Sequence, residues 1–124
     1  MTIQEAIDRV DLLKPNHQSE THKVAWLAEL DGLIHRELVM SHAHTREQET
    51  FVPYTMDTDR DTVLLAPFPY DEIYTYYLSA KVDLQNMEIG MYNNDKTLFN
   101  NAYDTLSDHW TRTHMPIGRR EFRI

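Results

Sequence analysis

The chain has 124 residues, 41% of them hydrophobic, with no cysteine and a formal net charge of −8. That is enough to bury one core and too little for two ordinary domains, and the absence of cysteine excludes disulfides and thiolate metal sites. The negative charge disfavours a basic phosphate-binding surface, and sequence-specific DNA binding with it. No stretch approaches the run of about 18 apolar residues that a membrane span needs, and the opening MTIQEAIDRV lacks the basic-then-apolar layout of a secretory signal. The expectation is a protein without membrane association, made in the cytoplasm.

Three glycines and five prolines argue against a turn-rich β-sandwich or barrel, so the predicted fold is all-α, a bundle of about four helices. Thr2 to Glu5 fits a capping box, opening a first helix that runs to about Leu13 with Ile3, Ala6, Ile7, Val10 and Leu13 on one face. Pro15 ends it. Ser19 is the predicted cap of a second helix through roughly Met40, with Val24, Leu27, Leu30, Ile34 and Leu38 as its buried stripe and Trp26 and Leu33 at the margin. Gly32, about 1 kcal/mol poorer than alanine in helix propensity, marks either a close helix crossing or a tolerated residue.

Between residues 41 and 61 the periodicity disappears. An irregular loop of this length is uncommon in a compact domain and tends to be functional. Its apolar run Phe51-Val52-Pro53-Tyr54 reads as a short strand, either in a hairpin or pairing with a neighbouring subunit. The stretch from Leu64 to Pro116 then holds nine of the thirteen aromatic residues and reads as two long antiparallel helices. The first begins at Pro69, and its stripe is Ile73, Tyr77, Ala80, Leu84, Met87 and Met91. Asn93-Asn94-Asp95 is the predicted turn, and Phe99, Ala102, Tyr103, Leu106 and Trp110 line the second helix. The shared core is therefore expected to include Leu27, Leu30, Ile34, Ile73, Tyr77, Leu84, Phe99, Leu106 and Trp110. Residues 1–116 form the domain. Residues 117–124 form an extended basic arm, because Pro116 and Gly118 stop the last helix and Arg119, Arg120 and Arg123 outnumber Glu121.

Few residues are arranged for chemistry. His42 and His44, with Glu47 and Glu49 nearby, are candidate metal ligands, yet no third ligand stands at a motif spacing. Asp57-Thr58-Asp59-Arg60-Asp61 copies the opening of a calcium loop, but Thr62 occupies the position that needs glycine and Phe68 the position of the bidentate glutamate. Tyr74, Tyr76 and Tyr77 could stack bases; at helical spacing in an acidic protein they fit core and interface better. Nucleotide-binding glycine loops, nucleophile elbows and His-Glu-x-x-His helices are all missing. The expectation is a non-enzymatic protein without cofactor or metal.

The segments LLAPFPYDEIYTYYLSAKVDLQNMEIGMYNN and FNNAYDTLSDHWTRTHMP, with TIQEAIDRVDLLKPN and AWLAELDGLIHRE, resemble small proteins of phages and prophages of Gram-positive bacteria that are encoded among virion morphogenesis genes. Their nearest functional family is the head–tail connector, or adaptor, of long-tailed phages. The resemblance implies a helical subunit that self-associates into a ring below the portal, continues the DNA channel without holding the DNA, and meets the next neck or tail component, so that the protein resides in the virion. In that family a C-terminal segment docks on the portal. The role would fall here on the arm, with Arg119, Arg120, Phe122, Arg123 and Ile124 as partner-binding residues. Two other functions compete: a small metal-binding protein or enzyme using the His42/His44 loop, and a regulator acting through protein–protein contacts.

Overall fold

The computed structural model describes residues 1–117, so Arg119, Arg120, Phe122, Arg123 and Ile124 lie outside the described residues. Among these residues there are four α-helices and no strand: α1 (Ile3–Leu13), α2 (Glu20–Ile34), α3 (Glu72–Gln85) and α4 (Ile89–Thr113). The all-α bundle expected from the sequence is the observed fold. Thr2 caps α1 as the sequence implies, its hydroxyl accepting from the Glu5 amide at 3.1 Å while Glu5 accepts from the Thr2 amide at 2.8 Å. Ser19 caps α2, and at its far end the helix widens into a π-turn over His35–Val39. The core lies between α1, α2 and α3, where Ile3, Ile7, Val10, Leu27, Leu30, Ile34, Ile73 and Leu78 are each at most 1% exposed. Leu106 and Trp110 of α4 close its outer side.

The loop of residues 41–71 folds back on this core. Phe51 stacks on His35 at 5.7 Å between ring centroids and meets Tyr54 edge-on at 5.5 Å. No strand forms at Phe51–Tyr54; those rings pack on α2 of their own chain, and the two isolated bridges join Thr2 to Val63 and His42 to Pro116. A methyl group added at Gly32 would meet Phe51 at 3.7 Å, an ordinary contact, so this glycine serves no close helix crossing.

The α3–α4 pair departs from its predicted boundaries. Pro69 sits in a turn closed by the Tyr70 amide on the Pro67 carbonyl at 2.7 Å, and the helix starts three residues later, at Glu72. The connection is at Asn86–Glu88, not at Asn93-Asn94-Asp95, which are helical residues of α4. Met87 adopts φ 60°, the Glu88 amide donates to the Asp83 carbonyl at 2.9 Å, and the Met87 amide donates to the Leu84 carbonyl at 3.1 Å. That pair of bonds is a Schellman closure with methionine where glycine is usual. α3 and α4 are antiparallel, as Tyr70 on His109 (4.3 Å) and Tyr77 on Phe99 (5.2 Å) require.

The core stripe of α3 is accordingly rotated. Tyr74, Leu78 and Val82 are its most buried large side chains beside Ile73, whereas Leu84 is 42% exposed and Tyr77 and Phe99 are only half-buried. Met87 and Met91, and Leu13 on α1, are exposed as well. Because α1 and α2 lie on one side of α3, its deepest face is turned towards them, and the Tyr77–Leu84 face is left to the thinly covered half of α4.

Candidate functional site

Two buried polar clusters hold the fold. Asp31 on α2 is fully buried, and its carboxylate accepts from the Tyr54 hydroxyl at 2.6 Å, the Tyr74 hydroxyl at 2.6 Å and the Leu65 amide at 3.0 Å. The Tyr74 oxygen in turn accepts from the Ala66 amide at 2.7 Å. Burial pushes the Asp31 carboxyl above its ordinary range, against the lowering pull of these donors. The same burial, with the carboxylate beside them, holds the Tyr54 and Tyr74 hydroxyls protonated well beyond the usual phenol range. The cluster ties the long loop to α2 and α3, so its chemistry is structural.

The second cluster joins three helices. Lys14, just past α1, places its ammonium 2.7 Å from Asp83 Oδ1 on α3 and 2.9 Å from Asp95 Oδ2 on α4. Burial, then the neighbouring Asp95 carboxyl, push Asp83 up to about 6 despite the lysine. One cation between two carboxylates leaves a residual negative charge, which favours the protonated form of Asp83.

The histidine loop is engaged within the chain. His42 is buried, with Nδ1 2.7 Å from the Leu38 carbonyl and Nε2 3.2 Å from the Thr111 hydroxyl. His44 Nδ1 lies 2.8 Å from the His42 carbonyl, and its Nε2 is 3.7 Å from Glu49 Oε2. The two imidazoles thus point to different partners, and no group of three His, Asp or Glu side chains among the described residues is arranged to hold a metal. In the acidic loop the Asp59 carboxylate accepts from the Asp61 amide at 2.9 Å, and Arg60 pairs with Glu20 at 3.0 Å. Of the tyrosine cluster, Tyr74 is the buried clamp just described, whereas Tyr76 and Tyr77 are half-buried and reach Glu72 and Glu29.

What the fold leaves open is α4. This helix of 25 residues, about 37 Å long, buries only Leu106 and Trp110 among its apolar side chains. Its first half exposes Ile89, Met91 and Leu98, and the adjoining tip adds Leu84 and Met87. Between α3 and α4 runs a groove of about 160 Å³, walled by Tyr77, Leu84, Tyr92 and Phe99 and rimmed by Lys81 and Lys96. Each ammonium lies over a tyrosine ring, Lys81 at 5.3 Å from the Tyr77 centroid and Lys96 at 5.9 Å from that of Tyr92. No signal short of the true α3–α4 boundary would have revealed this surface in the sequence, because a helix continued to Met91 places Tyr92 elsewhere.

Compared with known proteins, the chain matches no family model, no curated protein and no solved structure.

Proposed function

We propose that the protein is a non-enzymatic structural subunit of a phage neck, a head–tail connector that joins the portal to the tail and lets DNA pass. The observation that carries the assembly part of this reading is the thin coverage of α4: a helix of 25 residues with two buried apolar side chains leaves an apolar surface that a partner would cover. The phage context comes from the sequence resemblance. An acidic body suits a channel wall, since a surface that repels phosphate lets DNA slide.

In this reading the arm, with Arg119, Arg120, Phe122, Arg123 and Ile124, joins an acidic surface of the portal by charge while its two apolar residues fill pockets. The test is genetic and structural. The protein should be present in purified virions, and deleting residues 117–124 should leave a folded domain that no longer joins filled heads to tails. Its absence from particles would reject the neck assignment, and normal joining by the truncated protein would reject the role of the arm.

A further inference from the structure

Of the chain's four lysines, Lys14 and Lys23 are held against carboxylates, Lys23 by Asp11 at 2.6 Å. The remaining two, Lys81 and Lys96, stand on opposite rims of the α3–α4 groove. Lys81 has Glu29 at 3.6 Å; among the described residues no ion pair holds Lys96. The groove's volume of about 160 Å³ suits one large side chain and falls short of the roughly 300–1,000 Å³ typical of small-molecule and cofactor sites. Its chemistry therefore asks for one apolar side chain carried next to carboxylates.

The chain itself presents such a segment on another face. In the loop of residues 55–61, Met56 is 46% exposed and Asp57, Asp59 and Asp61 are exposed. The loop is already shaped: the Thr55 amide donates to the Thr58 hydroxyl at 2.8 Å, the Asp57 amide to the Thr55 hydroxyl at 3.2 Å, and the Thr62 amide to the Asp59 carbonyl at 3.0 Å. Little ordering would be lost on docking. Arg60, the one cation in the segment, is turned to Glu20, with its guanidinium 3.4 Å from the Met56 sulfur.

Loop and groove occupy different ends of the molecule. The loop is bonded to the start of α1, by the Gln4 amide on the Arg60 carbonyl at 3.1 Å, and the chain's first ammonium lies 3.4 Å from Asp71 at the start of α3. The groove lies along the later half of α3, near the level where Lys14 closes α1 onto Asp83. We propose that the loop of residues 55–61 of one copy docks in the α3–α4 groove of a second copy, with Met56 in the cavity and Asp57 and Asp59 facing Lys81 and Lys96. The contact joins two unlike patches, so it propagates head to tail into a ring or a filament. It rests on the assembly reading above and assigns one of its interfaces. A nucleic acid is the weaker occupant for the same groove, since two lysines offer little against a chain of net charge −8.

The contact is small beside the roughly 1,200–2,000 Å² buried in stable complexes, so in solution it is weak and depends on concentration. Sedimentation velocity of the full chain, raised to about 1 mM protein at low salt, should reveal reversible association that weakens at least about tenfold in roughly 0.5 M salt. Asp57→Lys with Asp59→Lys removes the loop, and Lys81→Glu with Lys96→Glu removes the groove. Each double variant alone should stay monomeric, while in the complementary mixture the intact loop meets the intact groove and the reversed loop meets the reversed groove, so association returns with the two variants in equal proportion. If a reversal disturbs the circular dichroism spectrum, the neutral Asn and Gln variants at the same positions replace it and should weaken association without abolishing it. A wild-type chain that remains monomeric at every concentration, variants that associate like wild type, a mixture that fails to pair, or a single-stranded DNA oligomer that binds the groove in preference to a second copy would each overturn the proposal. Failure here leaves the neck assignment standing, because presence in virions is measured independently.

Discussion

Replacing Asp31 by alanine tests the physical account of the fold most directly. The carboxylate has three donors, and after truncation two of them, the Tyr74 hydroxyl and the Leu65 amide, have lost a buried acceptor, while half-buried Tyr54 can turn to water. A buried donor left without a partner costs about 1–3 kcal/mol, so the two give about 2–6 kcal/mol, and the cavity left by the carboxyl adds to it. The burial of the charge, relieved by the substitution, works in the opposite direction. A net loss of about 3–5 kcal/mol is expected, a large part of the roughly 5–15 kcal/mol that holds a domain together. Tyr74→Phe should cost about 2 kcal/mol, because it also orphans the Ala66 amide, and Tyr54→Phe about 1 kcal/mol. Urea denaturation followed by circular dichroism gives all three values, and a cycle combining the Asp31 and Tyr74 substitutions should return a coupling of about 1–2 kcal/mol. Because the folded Asp31 carboxyl is raised above its unfolded value, its protonation favours the folded state: the contribution is complete below the unfolded pKa and is lost as pH rises through the folded one. The deficit of the alanine variant should therefore grow, not shrink, between pH 7 and pH 4. An unchanged midpoint for Asp31→Ala, or a Tyr54→Phe loss exceeding that of Tyr74→Phe, would refute the clamp.

Leu106→Ala should cost about 2–5 kcal/mol because Leu106 is fully buried, whereas Leu84→Ala, at 42% exposure, should cost less than about 1 kcal/mol; equal losses in thermal melts would misplace α4. Met87→Gly should raise stability by about 1 kcal/mol, since methionine at φ 60° bears the left-handed strain that glycine avoids, and a lowered urea midpoint would contradict the Schellman closure. Asp83, raised to about 6 when folded, contributes stability that is complete below its unfolded value near 4 and is lost as pH rises through about 6, so Asp83→Asn should flatten the stability profile between pH 4 and pH 6. Tyr54, Tyr74, Tyr77 and Tyr103 are all raised by burial and by carboxylate neighbours, so their stabilising share is present below about pH 10 and lost above it. Absorbance at alkaline pH should show these phenols ionising together with unfolding, and free titration of all of them in the folded chain would be the contrary result.

The parts of this fold that are legible in the sequence are those set by local chemistry. Thr2 with Glu5, and Ser19, announce two helix starts because a hydroxyl or carboxylate at a fixed spacing satisfies amides within one turn. The stripe from Val24 to Leu38 is legible because α2 lies in the middle of the bundle and buries one continuous face. The α3–α4 boundary is not, since the apolar phase runs unbroken from Ile73 to Met91 and the residue that takes the left-handed conformation is a methionine. Asn93 and Asn94 carry turn chemistry that the helix overrides, its register fixed by Asp95 on Lys14 and by Leu106 and Trp110 in the core.

That one misplaced boundary hides the surface as well. A stripe that alternates steps of four and three assigns every apolar residue to the core. In the folded chain Leu84, Met87 and Met91 are exposed, and nearby the three helices are joined by polar side chains instead, Asp83 of α3 and Asp95 of α4 held by Lys14 at the end of α1. Asp31 is illegible for a related reason: a lone carboxylate on a helix normally marks the solvent side, and only its meeting with Tyr54 and Tyr74, 23 and 43 residues away, makes burial affordable. Long-range carboxylate contacts thus do inside this bundle what further leucines would do in a simpler one. The apolar residues so released line the face that a partner would cover.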